Sequence, residues 1–213
     1  MQVHGMTVGP FQENTYLVVD EQSRDAVLID PGDEGGRLVA EVERARVQLR
    51  AIWVTHGHLD HIGGIAAVKR AWNVPVLLHP LDRPLYDIGH QQAATYGLPF
   101  EQPEAPDGEL AEGDALQLGA LRFNVWHVPG HAPGHVAFIG EGAVFGGDCL
   151  FAGSIGRTDL PLSNPAALAA SLERLATLPA ATVVYSGHGQ VTTIGAELAS
   201  NPFLNGSARI PRQ

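Results

Sequence analysis

Thr55-His56-Gly57-His58-Leu59-Asp60-His61-Ile62-Gly63-Gly64 sets three imidazoles and one carboxylate inside a single turn. The apolar residues 51–54 just before it read as a short strand, so the turn begins where a strand ends. Ligand sites favour such positions, because a rigid scaffold fixes the geometry while the loop exposes the side chain. Downstream, residues 61–72 fit a helix with Ile65, Val68 and Trp72 facing inward, and 75–78 fit another strand. Upstream, 14–20 and 25–30 are short apolar runs that pair as a hairpin across 21–24, with Asp30-Pro31-Gly32 closing the second. A helical stretch follows, with Leu38, Val42 and Ala45 on one face.

Residues 82–109 interrupt this alternation. Pro84, Pro99, Pro103 and Pro106 are interspersed with Tyr86, His90, Gln91, Gln92, Tyr96 and Phe100. The stretch reads as a long excursion, helical in part, and is either a functional loop or a surface insertion. Beyond it the theme returns. Residues 121–128, 136–139 and 143–145 read as strands, and Asn164 caps a helix with Pro165 in its first turn and Leu168, Leu172 and Leu175 as its stripe. Residues 182–185 form a last strand, followed by a short helix near 194–200 and a tail of about a dozen residues. Histidine or aspartate recurs at the strand ends: Pro129-Gly130-His131-Ala132-Pro133-Gly134-His135, Gly146-Gly147-Asp148 and Ser186-Gly187-His188-Gly189.

At 213 residues the chain fits one domain. With 45% hydrophobic and 17% charged residues it has the composition of a globular protein with a sizeable core. No apolar run approaches the ~18 residues of a membrane span, and Met1-Gln2-Val3-His4-Gly5 does not read as a signal peptide, so a cytoplasmic address is expected. The single cysteine, Cys149, excludes an internal disulfide and a Cys-rich zinc site. As the residue after Asp148 on a strand, its thiol is expected to point away from that carboxylate and into the core. A net charge of −10 gains little from the phosphate attraction that drives nucleic-acid binding, so no nucleic-acid or membrane partner is expected.

Taken together, the segments resemble the metallo-β-lactamase superfamily, and within it the short bacterial glyoxalase II-like (hydroxyacylglutathione hydrolase-like) branch. The carriers are THGHLDHIGG at 55–64, PGHAPGH at 129–135, GDCLF at 147–151, GRTDLP at 156–161 and SGHG at 186–189, and they span most of the chain. The resemblance implies an α/β (α+β) fold, an αββα sandwich of two mixed sheets flanked by helices. It also implies one domain over 1–213, without the C-terminal helical extension of the longer glyoxalase II enzymes. Carried over position by position, it implies that His56, His58 and His131 hold one metal, that Asp60, His61 and His188 hold a second, and that Asp148 bridges them. The implied cofactors are two divalent ions, zinc or iron, with manganese as a further option, and the implied catalytic carboxylates are Asp60 and Asp148.

Around that set, several positions stay open. Asp30 resembles the family's aspartate that orients a ligand imidazole through its other N–H, or is a plain turn residue. His135 either packs behind the ligands or contacts substrate. His4, His79, His90 and His127 match no ligand position, with His90 set apart by its loop. Arg157 falls where longer relatives carry a basic residue that contacts glutathione, yet the aromatic residue expected two positions later is Asp159, and a tyrosine past the last histidine is Gln190. Arg157 is therefore either a carboxylate clasp or a loop brace paired with Asp159.

Two dications, less the charges of Asp60, Asp148 and a bridging hydroxide, leave about +1, which favours an anionic tetrahedral intermediate. No G-x-S-x-G elbow competes with this reading. A thiol with pKa near ~8.5 departs without a strong general acid, so the expected reaction is hydrolysis of S-D-lactoylglutathione or a related small hydroxyacyl thioester. The alternatives are an iron-dependent persulfide dioxygenase using His56, His131 and Asp148, and a lactonase or other ester hydrolase. A nuclease is disfavoured by the acidic balance, and a β-lactamase by a leaving amine that must be protonated.

Overall fold

The computed structural model describes residues 1–210; the last three residues of the expected tail, and of the expected 1–213 domain, lie outside the described residues. The first of two large sheets contains β1 (Gln2–Val8), β2 (Glu13–Val19), β3 (Asp25–Ile29), β4 (Gln48–Trp53), β5 (Val76–Leu78) and β6 (Gly108–Glu109), in that spatial order. β1 to β3 pair antiparallel and β3 to β6 pair parallel. The second sheet contains β7 (Ala115–Leu118), β8 (Leu121–His127), β9 (Val136–Gly140) and β10 (Ala143–Gly147). After a small hairpin of β11 (Leu150–Phe151) and β12 (Ser154–Ile155), it is completed by β13 (Val183–Ser186) and β14 (Thr192–Thr193), in the order β14-β13-β10-β9-β8-β7. Only β10 and β13 run parallel in it.

Strand runs that are apolar on both faces are strands covered on both faces. On β2, Tyr16 and Val18 face the second sheet, while Leu17 and Val19 pack under helices α1 (Gly35–Ala45) and α3 (Ile65–Ala71). β3 divides the same way, Val27 and Ile29 inward, Ala26 and Leu28 outward. The outer face of the second sheet is covered by α6 (Pro165–Leu175) and α7 (Ile194–Ser200), with Ala137, Val144 and Val184 beneath Leu168, Leu172, Leu175 and Ile194. The layers are therefore helices, sheet, sheet, helices, as the resemblance implies. Between the sheets Trp53 meets Phe123 edge-on at 5.4 Å, and Tyr16 meets Phe145 at 5.7 Å. Truncating a ring such as Phe123 to alanine costs ~3–5 kcal/mol.

The helix expected over 61–72 is in fact two. α2 (Leu59–Ile62) stops, the Gly64 N–H turns out to the Pro31 carbonyl at 2.8 Å, and α3 (Ile65–Ala71) restarts with Ile65 and Val68 buried. The excursion is more helical than its prolines suggest. A 3-10 turn (Pro80–Asp82) leads into α4 (Arg83–Asp87) and α5 (Gly89–Thr95). Pro84 sits in the first turn of α4, where no intrahelical N–H is lost. Tyr86 is fully buried and its hydroxyl donates to the Glu104 carbonyl at 2.9 Å, pinning the excursion to the body. β1 and β7 escape a hydrophobic-run criterion because both are edge strands with mostly exposed side chains. α6 (Pro165–Leu175) is capped as expected, Asn164 Oδ1 accepting from the N–H groups of Ala166 and Ala167 at 3.0 Å each, and α7 (Ile194–Ser200) follows β14.

The histidine- and aspartate-bearing segments leave the sandwich at one edge. Asp30, His56, Asp148 and His188 follow the C-terminal ends of β3, β4, β10 and β13, each a partner in a parallel pair, where open α/β sheets form their crevices. Among the described residues, no helix is long and apolar enough to cross a membrane.

Candidate metal centre

Ring nitrogens of His56, His58 and His131 lie within 4.8 Å of one another, as do the ligating atoms of Asp60, His61 and His188. Asp148 stands between the two groups. Its Oδ1 is 3.4 Å from His61 Nε2, and its Oδ2 is 3.5 Å from both His131 Nε2 and His188 Nε2. Asp60 Oδ2 is 3.3 Å from His188 Nε2, and His58 Nδ1 is 2.9 Å from His131 Nε2. Residues spread over more than a hundred positions of sequence thus converge on one pocket.

The protein determines which nitrogen each imidazole offers. His61 Nδ1 donates to Asp30 Oδ2 at 3.0 Å, His131 Nδ1 to the Arg157 carbonyl at 2.8 Å and His188 Nδ1 to the Phe11 carbonyl at 3.1 Å. His56 Nδ1 meets Thr55 Oγ1 at 3.0 Å, and that hydroxyl spends its own proton on Asp30 Oδ2 at 2.6 Å. With Nδ1 engaged behind the ring, all four rings turn Nε2 toward the pocket. His56 Nε2, His61 Nε2 and Asp148 Oδ1 are buried and have no hydrogen-bond partner. Each such acceptor costs ~1–3 kcal/mol, and a cation satisfies several at once. The nitrogen and oxygen donors fit a pair of divalent zinc, iron or manganese ions.

Asp30, His56 and His61 form a third close group. Both Asp30 oxygens are already engaged there: Oδ1 accepts from the Thr55 N–H at 2.7 Å, and Oδ2 from the Thr55 hydroxyl and His61. Asp30 is a turn residue as well, with φ +48°. His135 is fully buried beside His56. Its Nε2 accepts from the Asp148 N–H at 3.0 Å and its ring stacks on His56 at 4.8 Å. His90 is exposed and bonded to Gln102, His79 and His127 stack on each other at 4.5 Å, and His4 lies at the surface. Cys149 is fully buried, which pushes its thiol up to about 12.

Burial, reinforced by neighbouring imidazoles, holds His56 well below the usual histidine range, and burial with His131 takes His58 down to about 3. Burial lowers His131 too. For His61 burial acts the same way, but Asp148 and Asp60 outweigh it and raise the group well above its ordinary value. His188 is raised as well, against burial, by its bond to Asp60 and by Asp148. Asp60 and Asp148 are lowered: burial opposes ionisation, and His61 more than offsets it.

Three supporting residues carry no motif. Glu13 is fully buried, with Oε1 3.8 Å from His61 Nδ1, and burial raises its pKa. Asn14 Nδ2 donates to the carbonyls of Ser186 at 3.2 Å and Gly189 at 2.9 Å, pinning the segment of His188. Phe11 supplies the carbonyl behind His188. The only trace in the sequence is a polar Gln12-Glu13-Asn14 immediately before an apolar run.

A cavity of about 580 Å³ opens over this floor. Its wall includes Phe11, Leu85, Ile88, Tyr96 and Leu160, with Phe11 and Tyr96 edge-on at 5.0 Å. Arg157 lies at the rim with its guanidinium bound at two points to Asp159, 2.7 and 2.8 Å. Phe100 lines a neighbouring cavity that shares Leu59 and Asp60 with this one.

The model of the Metallo-beta-lactamase superfamily matches residues 8–188. The chain is 38% identical to hydroxyacylglutathione hydrolase GloC of Haemophilus influenzae, over 96% of this chain and 99% of that one. Among solved structures, TTHA1623 in a di-iron-bound form is 48% identical with a TM-score of 0.89, covering 95% of this chain and 100% of the other. The BLEG-1 B3 metallo-beta-lactamase is 37% identical with a TM-score of 0.90, covering 96% and 100%.

Proposed function

This chain belongs to the metallo-beta-lactamase superfamily, and from that premise we propose that it is a two-metal hydrolase of small hydroxyacyl thioesters, with S-D-lactoylglutathione as the reference substrate. In this reading His56, His58 and His131 hold one ion, Asp60, His61 and His188 hold the other, and Asp148 touches both. Zinc, iron or manganese suits these donors, and a di-iron form of a relative makes iron a natural choice. Bound there, the ions would act as Lewis acids on a carbonyl and bring the pKa of water near neutrality.

The observation that carries the thioester reading is what the cavity lacks. Among its lining residues, His58, Asp60, His131, Asp148 and His188 all belong to the ligand sets, and Arg157 is tied to Asp159. Outside those sets, no carboxylic acid or imidazole is among the residues lining the cavity. A thiol departs as thiolate without such help, whereas an amine requires a proton. Asp60, held ionised beside His61 and His188, lines the cavity and accepts the proton of the attacking water. The apolar wall orients the acyl group and excludes bulk water.

The same floor would serve an ester or lactone. An iron-dependent dioxygenase would use His56, His131 and Asp148 alone and leave the second ligand set without a task. Thiol release from S-D-lactoylglutathione by the metal-loaded protein tests the proposal. A kcat/KM above roughly 10⁴ M⁻¹s⁻¹ supports it. A background rate with both metals bound removes glutathione thioesters as substrate and turns attention to lactones and to oxygen uptake.

A further inference from the structure

His58 sits between Gly57 and Leu59, and the backbone on both sides of it is held by the excursion. The Gly57 N–H donates to Asp82 Oδ2 at 2.8 Å, and the Gly57 carbonyl accepts from Gln92 Nε2 at 3.2 Å. The Leu59 N–H donates to Gln92 Oε1 at 3.1 Å. Gln92 Nε2 is itself anchored to the Leu85 carbonyl at 2.7 Å. The other oxygen of Asp82, Oδ1, accepts from the Gly134 N–H, in the loop that carries His131. One fully buried carboxylate thus ties together two loops whose histidines lie 73 residues apart in sequence.

The packing leaves no slack. A Cβ at Gly57 would stand 2.8 Å from the Asp82 carbonyl oxygen and from the Tyr86 nitrogen, and one at Gly134 would stand 2.6 Å from the Asp82 nitrogen. His61 and His188 are held by different groups: His61 by Asp30, and the His188 segment by Phe11 and Asn14. We propose that Asp82 and Gln92 are positioning residues that fix His58 and His131 for one metal only, so that the excursion serves as the brace of the first metal site. Neither residue is a ligand. Each bond it makes is to backbone, which sets the direction of the neighbouring imidazole without touching the ion.

The inference rests on the assignment of ligands made above, and its test separates the two. His188→Ala leaves the first ligand set intact, and His58→Ala the second. Zinc affinity of each parent, by competition with a chromophoric chelator, is expected to show one site per chain. A parent that binds no zinc, or still binds two, overturns the ligand assignment and the brace with it. Asp82→Asn places an amide NH₂ against one of the two backbone N–H groups. In the His188→Ala parent it is expected to weaken zinc by ~10–100-fold, the usual effect of losing a partner behind a ligand. In the His58→Ala parent the change is expected to stay within about twofold. Equal losses in both parents mean general destabilisation and overturn the proposal, as does no loss in either. Circular dichroism reports whether the variant folds. Gln92→Ala, at a half-buried position, gives an independent reading, with a several-fold loss expected in the His188→Ala parent alone. Without that loss the brace fails even if Asp82→Asn does not fold.

Discussion

The floor and the wall of the cavity are built by opposite means. On the floor, His56 and His61 are 0% exposed, and each has a specific acceptor behind it that decides which nitrogen faces inward. On the wall, Ile88 and Tyr96 are 37% and 52% exposed and present apolar surface. A displaced floor residue leaves a buried polar atom unpaired. A displaced wall residue loses some contact area. Change is therefore expensive on the floor and cheap on the wall.

The largest effect is expected at Asp148, whose oxygens lie within 3.5 Å of imidazoles from both groups. Asp148→Asn removes its charge and turns an NH₂ toward imidazole nitrogens. Metal content by elemental analysis should fall below two per chain, and kcat/KM should drop by more than the ~100-fold typical of outer partners. Two metals with an unchanged rate would break the distinction between floor and wall.

A smaller effect concerns pH. His61 and His188 have raised pKa values, so they retain protons that an incoming dication must displace. Metal affinity is expected to fall as pH drops through these pKa values and to level off above them. Calorimetry of zinc uptake in buffers of different ionisation enthalpy should show about one to two protons released per chain near neutrality. No release would mean that the carboxylates do not hold those protons.

The smallest effect belongs to the wall. Tyr96→Ala removes an edge-on contact with Phe11 worth ~0.5–1.5 kcal/mol. KM for the thioester should rise by about 2–10-fold, with kcat and metal content unchanged. A collapse of kcat at constant KM would instead place Tyr96 in the chemistry.

Some of this was legible in the residues. The strands around His56, Asp148 and His188 follow from short apolar runs, and α6 follows from Asn164, Pro165 and a leucine stripe, because these signals are local. Edge strands β1 and β7 were not legible, since strands with mostly exposed side chains carry no hydrophobic pattern. Nor was the interruption at Gly63 and Gly64, where a contact with Pro31 ends a helix whose periodicity runs on. Asp82 and Gln92 sit in a stretch with two open readings, and nothing nearby marks them, because the groups they hold at Gly57, Leu59 and Gly134 lie 25 to 52 residues away.

By itself the sequence determined which side chains are available to hold metals, since histidine and aspartate at strand ends are a matter of residue type and spacing. It also determined the alternation of strands and helices, which follows from apolar periodicity. Only the tertiary structure decided which nitrogen of His56, His61, His131 and His188 turns toward the pocket, that His61 meets Asp30, and that Arg157 pairs with Asp159. Each of these depends on the direction of a hydrogen bond between groups that only folding brings within about 3 Å, and a linear order of residues does not encode that direction.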